Sequence, residues 1–158
     1  MATHPRIVRA LALLAALGIA LIVPAAACAQ TDFGVRGGVY TDESEGFVGL
    51  ELVSRMTGSQ WFFNPNLETV FVQRGDLFTV NGDFSYELPT SGQFDIWVGG
   101  GPALIFRRPE RGDHSTDAAL NLLAGIGFSP HNSVRPYVQG KLIVSDTSEA
   151  VFGFGLRF

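Results

Sequence analysis

His114 and Ser115, flanked by Asp113 and Asp117 in the run RGDHSTD, are the residues whose types could do nucleophilic chemistry. An imidazole that takes a hydroxyl proton, with a carboxylate to orient it, is the working arrangement of many hydrolases. Here the residues are contiguous in a polar run, where such side chains ordinarily keep a turn hydrated. His131 sits in SPHNS, which is turn composition as well. We assign no catalytic residue on this basis. No spacing typical of metal ligands occurs, so neither a metal nor another cofactor is expected.

Arg-Gly-Asp occurs twice, at Arg74 to Asp76 and at Arg111 to Asp113. Adhesion is the functional reading of that triplet. Gly-Asp is also ordinary turn chemistry, and the turn reading accounts for both copies.

The elements that would hold such residues begin after an N-terminal leader. Arg6 and Arg9 precede an apolar run from Ala10 to about Ile22, followed by Pro24 and AAACAQ. A basic start, a short apolar core and a small-x-small site describe a secretory signal peptide. Cleavage after Ala27-Cys28-Ala29 makes residues 1–29 the signal and 30–158 a single mature domain of 129 residues. The apolar run falls short of the roughly 20 residues a spanning helix needs. Lipoprotein processing at Cys28 is an alternative, but Ala25 stands where a lipobox prefers Leu. Cys28 is the only cysteine, so the mature domain carries no disulfide and no cysteine metal site. Without Arg6 and Arg9 the domain has nine basic against fifteen acidic residues, a net of about −6. That sign argues against nucleic acid as a partner.

Glycine and phenylalanine are abundant, 19 and 13 of 158, and lysine appears once, at Lys141. This composition with alternating polarity points to an all-β barrel rather than a helical bundle. Eight alternating segments can be marked: 32–40, 47–54, 61–72, 77–88, 94–106, 118–128, 134–144 and 150–158. Turn clusters separate them, the longest expected over Arg108 to Asp117. The fourth is the clearest, with Phe78, Val80, Gly82, Phe84, Tyr86 and Leu88 alternating with Thr79, Asn81, Asp83, Ser85 and Glu87. The segment lengths suit tilted strands crossing a bilayer, for which about 9 to 11 residues are needed. An even number of strands puts both chain ends on one side.

One face of these strands is almost continuously Leu, Val, Ile and Phe. The other carries about one charge per strand, namely Arg36, Glu51, Glu68, Asp83, Asp95, Lys141 and Arg157, among Gly, Asn, Ser and Thr. A soluble barrel would present a face dense in Lys and Glu to water. Sparse charges of both signs suit instead a narrow lumen in which they pair, and eight strands leave room for little more than side chains. The expected architecture is therefore an eight-stranded antiparallel up-and-down transmembrane β-barrel with a polar lumen and an apolar exterior. Aromatics near the segment ends read as two girdles: Trp61, Phe62, Phe63, Phe94, Phe128 and Phe158 on one rim, Tyr40, Phe47, Phe71, Phe78 and Phe106 on the other. Pro65, Pro102 and Pro136 each remove a ladder donor. A bulge or bend is expected at Pro102, after Gly99-Gly100-Gly101.

The chain ends on AVFGFGLRF, an alternating strand with a terminal aromatic. This resembles the last strand of bacterial outer-membrane barrels. The resemblance implies that Phe154, Leu156 and Phe158 form the signal read by the β-barrel assembly machinery. With the leader and the eight segments over Asp32 to Phe158, the chain resembles small OmpA/OmpX-type outer-membrane barrels. That likeness implies residence in the outer membrane as a monomer, in contact with its lipid and lipopolysaccharide. It also implies a structural or surface-interaction role rather than a pore or an enzyme. Nine acids lie in the expected outer loops: Asp42, Glu43, Glu45, Asp76, Glu110, Asp113, Asp117, Asp146 and Glu149. They could bridge cations to lipopolysaccharide phosphates, but keeping the loops wet is the simpler account. Two alternatives remain. One is a lipid A deacylase of the PagL type, although those carry His-x-Ser on a strand while His114 and Ser115 are adjacent. The other is a secreted lipocalin-like barrel, whose Gly-x-Trp start is absent from the first segment.

Overall fold

In the computed structural model the described residues are 28–41, 44–73, 75–90, 92, 94–109, 113–128, 133–145 and 148–158. Residues 1–27 of the expected leader, 1–29, lie outside them. So do Arg74, Arg111, Gly112 and His131, and the loop acids Asp42, Glu43, Glu110 and Asp146.

Eight strands follow in chain order: β1 (Cys28–Tyr40), β2 (Glu45–Met56), β3 (Trp61–Val70), β4 (Asp76–Leu88), β5 (Phe94–Arg108), β6 (Ser115–Phe128), β7 (Arg135–Val144) and β8 (Glu149–Arg157). Each pairs antiparallel with the next, and β8 returns to β1 to close the barrel. The closing seam runs from Gly34↔Arg157 to Tyr40↔Val151. All eight expected segments are strands. The boundaries differ most at β1, which begins at Cys28, and next at β6, which begins at Ser115 because its ladder with β5 continues to Arg107↔Ser115. The expected loop from Arg108 to Asp117 is correspondingly shorter, since Arg108, Ser115, Thr116 and Asp117 belong to strands.

The two central prolines leave matching marks on the wall. The β2–β3 ladder passes from Glu51↔Asn66 to Ser54↔Phe63. The two omitted pairs, 52 with 65 and 53 with 64, are those that need an N–H on Pro65. The β4–β5 ladder likewise passes from Asn81↔Ala103 to Phe84↔Gly100, omitting the pairs that need an N–H on Pro102. No residue is inserted at either place, so of the bulge or bend expected at Pro102 the bulge is absent and the register runs on. The preceding glycines serve close approach instead: a Cβ on Gly101 would lie 2.1 Å from the Gly82 carbonyl oxygen. A register shift does occur in β1, between Cys28 and Gln30.

Which way the faces point follows from two neighbours on β4. Asp83 is 1% exposed and Phe84 is 40% exposed. The apolar face is outside. It includes Phe33, Val35, Leu50, Val98, Leu120, Leu122, Val138, Leu142, Phe152 and Phe154, all exposed. This geometry is the opposite of a soluble ligand-binding barrel, whose greasy face lines the interior.

The aromatic girdles need three corrections. Tyr40 and Phe47 are buried rather than on the rim. They stand on the inward parity, two residues from Gly38 and Gly49, and pack edge to face with ring centroids 5.5 Å apart. Phe62 also faces inward, lining a cavity at the terminal end and lying 4.6 Å from the Arg55 guanidinium. Trp61, Phe94, Phe128 and Phe158 are exposed at the end carrying the termini, and Phe71 at the other.

Candidate functional site: the lumen network and its two ends

The inward parity of eight strands converges on one axis, so polar residues distant in sequence meet there. Five of the seven charged residues singled out from the sequence are buried: Arg36, Glu51, Glu68, Asp83 and Lys141. Arg157 joins them from the last strand. Asp95 does not. It lines the cavity at the terminal end, with Asp32, Arg55, Glu87 and Arg135.

Glu68 is the most heavily engaged group. Lys141 Nζ donates to both of its carboxylate oxygens at 2.9 Å. Tyr40 Oη donates at 2.7 Å and Thr79 Oγ1 at 3.2 Å. Arg36 Nη2 stands 3.3 Å away on its other oxygen. Glu51 repeats the pattern one layer nearer the termini. It accepts from Arg157 Nε at 2.8 Å and from Asn64 Nδ2 at 2.8 Å, with Arg36 Nη1 at 3.6 Å. Arg36 therefore bridges two glutamates. A buried charge is costly unless paired and hydrogen-bonded, and both glutamates meet that condition.

Between these layers a set of amides carries the connection. Asn66 donates to Asn64 Oδ1 at 3.0 Å and to Asp83 Oδ2 at 2.9 Å. Asn121 donates to Asp83 Oδ1 and to Asn81 Oδ1, both at 2.9 Å. Asn81 donates onward to Asn66 Oδ1 at 2.9 Å and to Thr79 Oγ1 at 3.1 Å. Asp83 is thus held by amide donors rather than by a cation. The network ties β8 to β2 and β7 to β3, across β1. It braces the closing seam from inside, where main-chain pairing covers only seven residue pairs.

The sequence placed these asparagines on the inner face without giving them a role. A signal was present. Asn is disfavoured in strands, yet four fall on inward positions of well-patterned strands: Asn64, Asn66, Asn81 and Asn121.

The two ends of the lumen differ. At the end of the β1–β2 and β3–β4 turns, Tyr40, Phe47, Val70, Leu77, Ile105, Ile143 and Val151 form one buried apolar cluster. Seven strands contribute one residue each, and Ala119 of β6 packs against the set. At the terminal end Trp97, Leu123 and Tyr137 form a smaller cluster. The Arg157 guanidinium lies 4.7 Å from the Trp97 ring and 4.3 Å from the Tyr137 ring. A Cβ on Gly155 would meet the Tyr137 ring at 2.5 Å, so glycine is required for the ring to lie there. Beyond this layer a cavity of about 470 Å³ opens to the outside. Its charged walls include the pairs Arg55–Glu87 at 3.1 Å and Arg135–Asp32.

The residues considered for nucleophilic chemistry stand elsewhere. His114 and Ser115 are exposed at the tip of the β5–β6 hairpin. Asp117 is engaged by Arg107 across that hairpin. Among the described residues no group of three or more His, Cys, Asp or Glu side chains converges as a metal-ligand set. Phe154, Leu156 and Phe158 all point outward, exposed.

A closed eight-stranded barrel, apolar outside and filled inside, is the architecture of the small OmpA/OmpX-type outer-membrane proteins, and this chain has that fold. No protein-family pattern matches the sequence, and no curated protein does. Solved structures do. The N-terminal β-barrel domain of Pseudomonas aeruginosa OprF superposes with a TM-score of 0.69 at 13% identity, covering 81% of this chain and 95% of that one. Neisserial surface protein A (NspA) gives 0.63 at 12% identity, covering 80% and 94%. Ail, the attachment invasion locus protein of Yersinia pestis, gives 0.56 at 13% identity, covering 81% and 96%. At these identities the likeness is one of fold.

Proposed function

We propose that this chain is a small integral outer-membrane protein whose lumen is filled, acting as a structural or surface-interaction protein rather than as a pore or an enzyme. The observation that carries this reading is the inversion of polarity: charged residues are buried on the axis while Leu, Val and Phe side chains stand exposed around the wall. Water would not tolerate so continuous an apolar surface on a monomer, whereas acyl chains match it. The closed ladder leaves no strand edge along the wall, as a bilayer requires. Its surroundings are outer-membrane lipid and lipopolysaccharide. The terminal end faces the periplasm, and the β5–β6 hairpin with the β1–β2, β3–β4 and β7–β8 turns faces outward. Phe154, Leu156 and Phe158 supply the assembly signal.

Cell fractionation with gel mobility tests this reading. The protein should sediment with outer membranes, resist carbonate extraction, and change mobility on boiling as a folded barrel does. Recovery as a soluble monomer without detergent would refute it.

A further inference from the structure

The cavity at the terminal end is lined by charges of both signs. Glu87 and Asp95 stand on the adjacent strands β4 and β5. Arg135 and Arg157 stand on the adjacent strands β7 and β8. Asp32 on β1 and Arg55 on β2 complete the charged lining, three acids and three bases in all. Most of these groups are engaged: Arg135 by Asp32, Glu87 by Arg55, and Arg157 through Nε by Glu51. Two functional groups are left. Asp95 meets no cation among the described residues within ion-pair distance, and the Nη nitrogens of Arg157 donate to none of those residues. The Arg157 plane is held by the Trp97 and Tyr137 rings, so its remaining donors have a fixed direction. A preorganised guanidinium and an open carboxylate lining one cavity complement a ligand carrying both signs. The volume, about 470 Å³, lies within the range of small-ligand pockets, roughly 300–1,000 Å³.

We propose that this cavity binds a zwitterion of short-peptide size, its ammonium on Asp95 and its acid group on Arg157. The site goes beyond the structural reading and concerns the opposite end of the barrel from the outward turns. Under that reading it opens to the periplasm, where both short peptides and zwitterionic phospholipid headgroups carry the required pair of charges.

The test uses the full mature chain refolded in detergent micelles, with folding checked by mobility before boiling. The chain has two tryptophans, so two indole N–H resonances report binding. Trp97 lines the cavity and Trp61 is exposed on the outer wall, which makes Trp61 an internal control. Tri-alanine is titrated beside N-acetyl-tri-alanine, tri-alanine amide and glycerophosphoethanolamine. Saturable movement of the Trp97 resonance is expected with a zwitterion, and loss of either terminal charge should weaken it about tenfold, near 1.4 kcal/mol. Tighter binding of tri-alanine than of glycerophosphoethanolamine assigns the site to peptides, and the reverse order assigns it to headgroups. Asp95→Asn should bring N-acetyl-tri-alanine level with tri-alanine while the amide remains weak. A Trp97 resonance that does not saturate with any zwitterion overturns the proposal. Equal affinity for the free, acetylated and amidated peptides overturns it too.

Discussion

The two ends of one lumen are closed by different physics. At the turn end, seven apolar side chains from seven strands meet with no charge among them. At the terminal end, guanidinium groups are held by carboxylates and aromatic rings, and a cavity remains. The first arrangement is dry and gains from burial and dispersion. The second opens outward and keeps charges within reach of solvent. The buried polar network between them is therefore approachable from one side only. This asymmetry comes from the inward residues nearest the strand ends.

The contrast yields energies that can be measured by denaturant unfolding in micelles. The largest effect belongs to the layer between the two ends. Glu68→Gln leaves Lys141 and Arg36 without their shared carboxylate. It should cost about 3–5 kcal/mol, the usual penalty for breaking a buried ion pair. Next comes the apolar end. Leu77→Ala opens a space among Tyr40, Phe47 and Ile105 and should cost about 2–5 kcal/mol. The smallest effect belongs to the charged end. Arg55→Ala removes a partly exposed pair with Glu87 and should cost less than about 1 kcal/mol. A cost for Arg55→Ala equal to that for Leu77→Ala would erase the distinction between the ends.

Most of the fold was legible because barrel strands alternate strictly, and period-two patterning is the strongest signal a short strand can carry. Asp83 and Phe84 alone fix inside and outside. Charge at sparse inward positions also picked out Arg36, Glu51, Glu68 and Lys141. Some things were not legible. The inward Tyr40 and Phe47 read as rim aromatics, since composition alone does not separate a lid from a girdle. Parity does, and both fall on the side of Arg36 and Glu51. Another was Asp95, grouped with the lumen charges by parity. Its height along the axis, set by the register Asp95↔Gly127 near the strand end, puts it in the mouth instead. Pro65 had no explanation from sequence. The ladder supplies one, because its missing donor falls on the β2 side while pairing with β4 continues through Pro65↔Gly82.

The central claim is that the lumen is closed at the turn end by packed apolar side chains. Conductance across a planar bilayer containing the refolded protein tests it most directly. The protein should insert without producing discrete current steps, at either polarity and at high salt. Stable, ohmic single-channel steps from the unmodified protein would contradict the account.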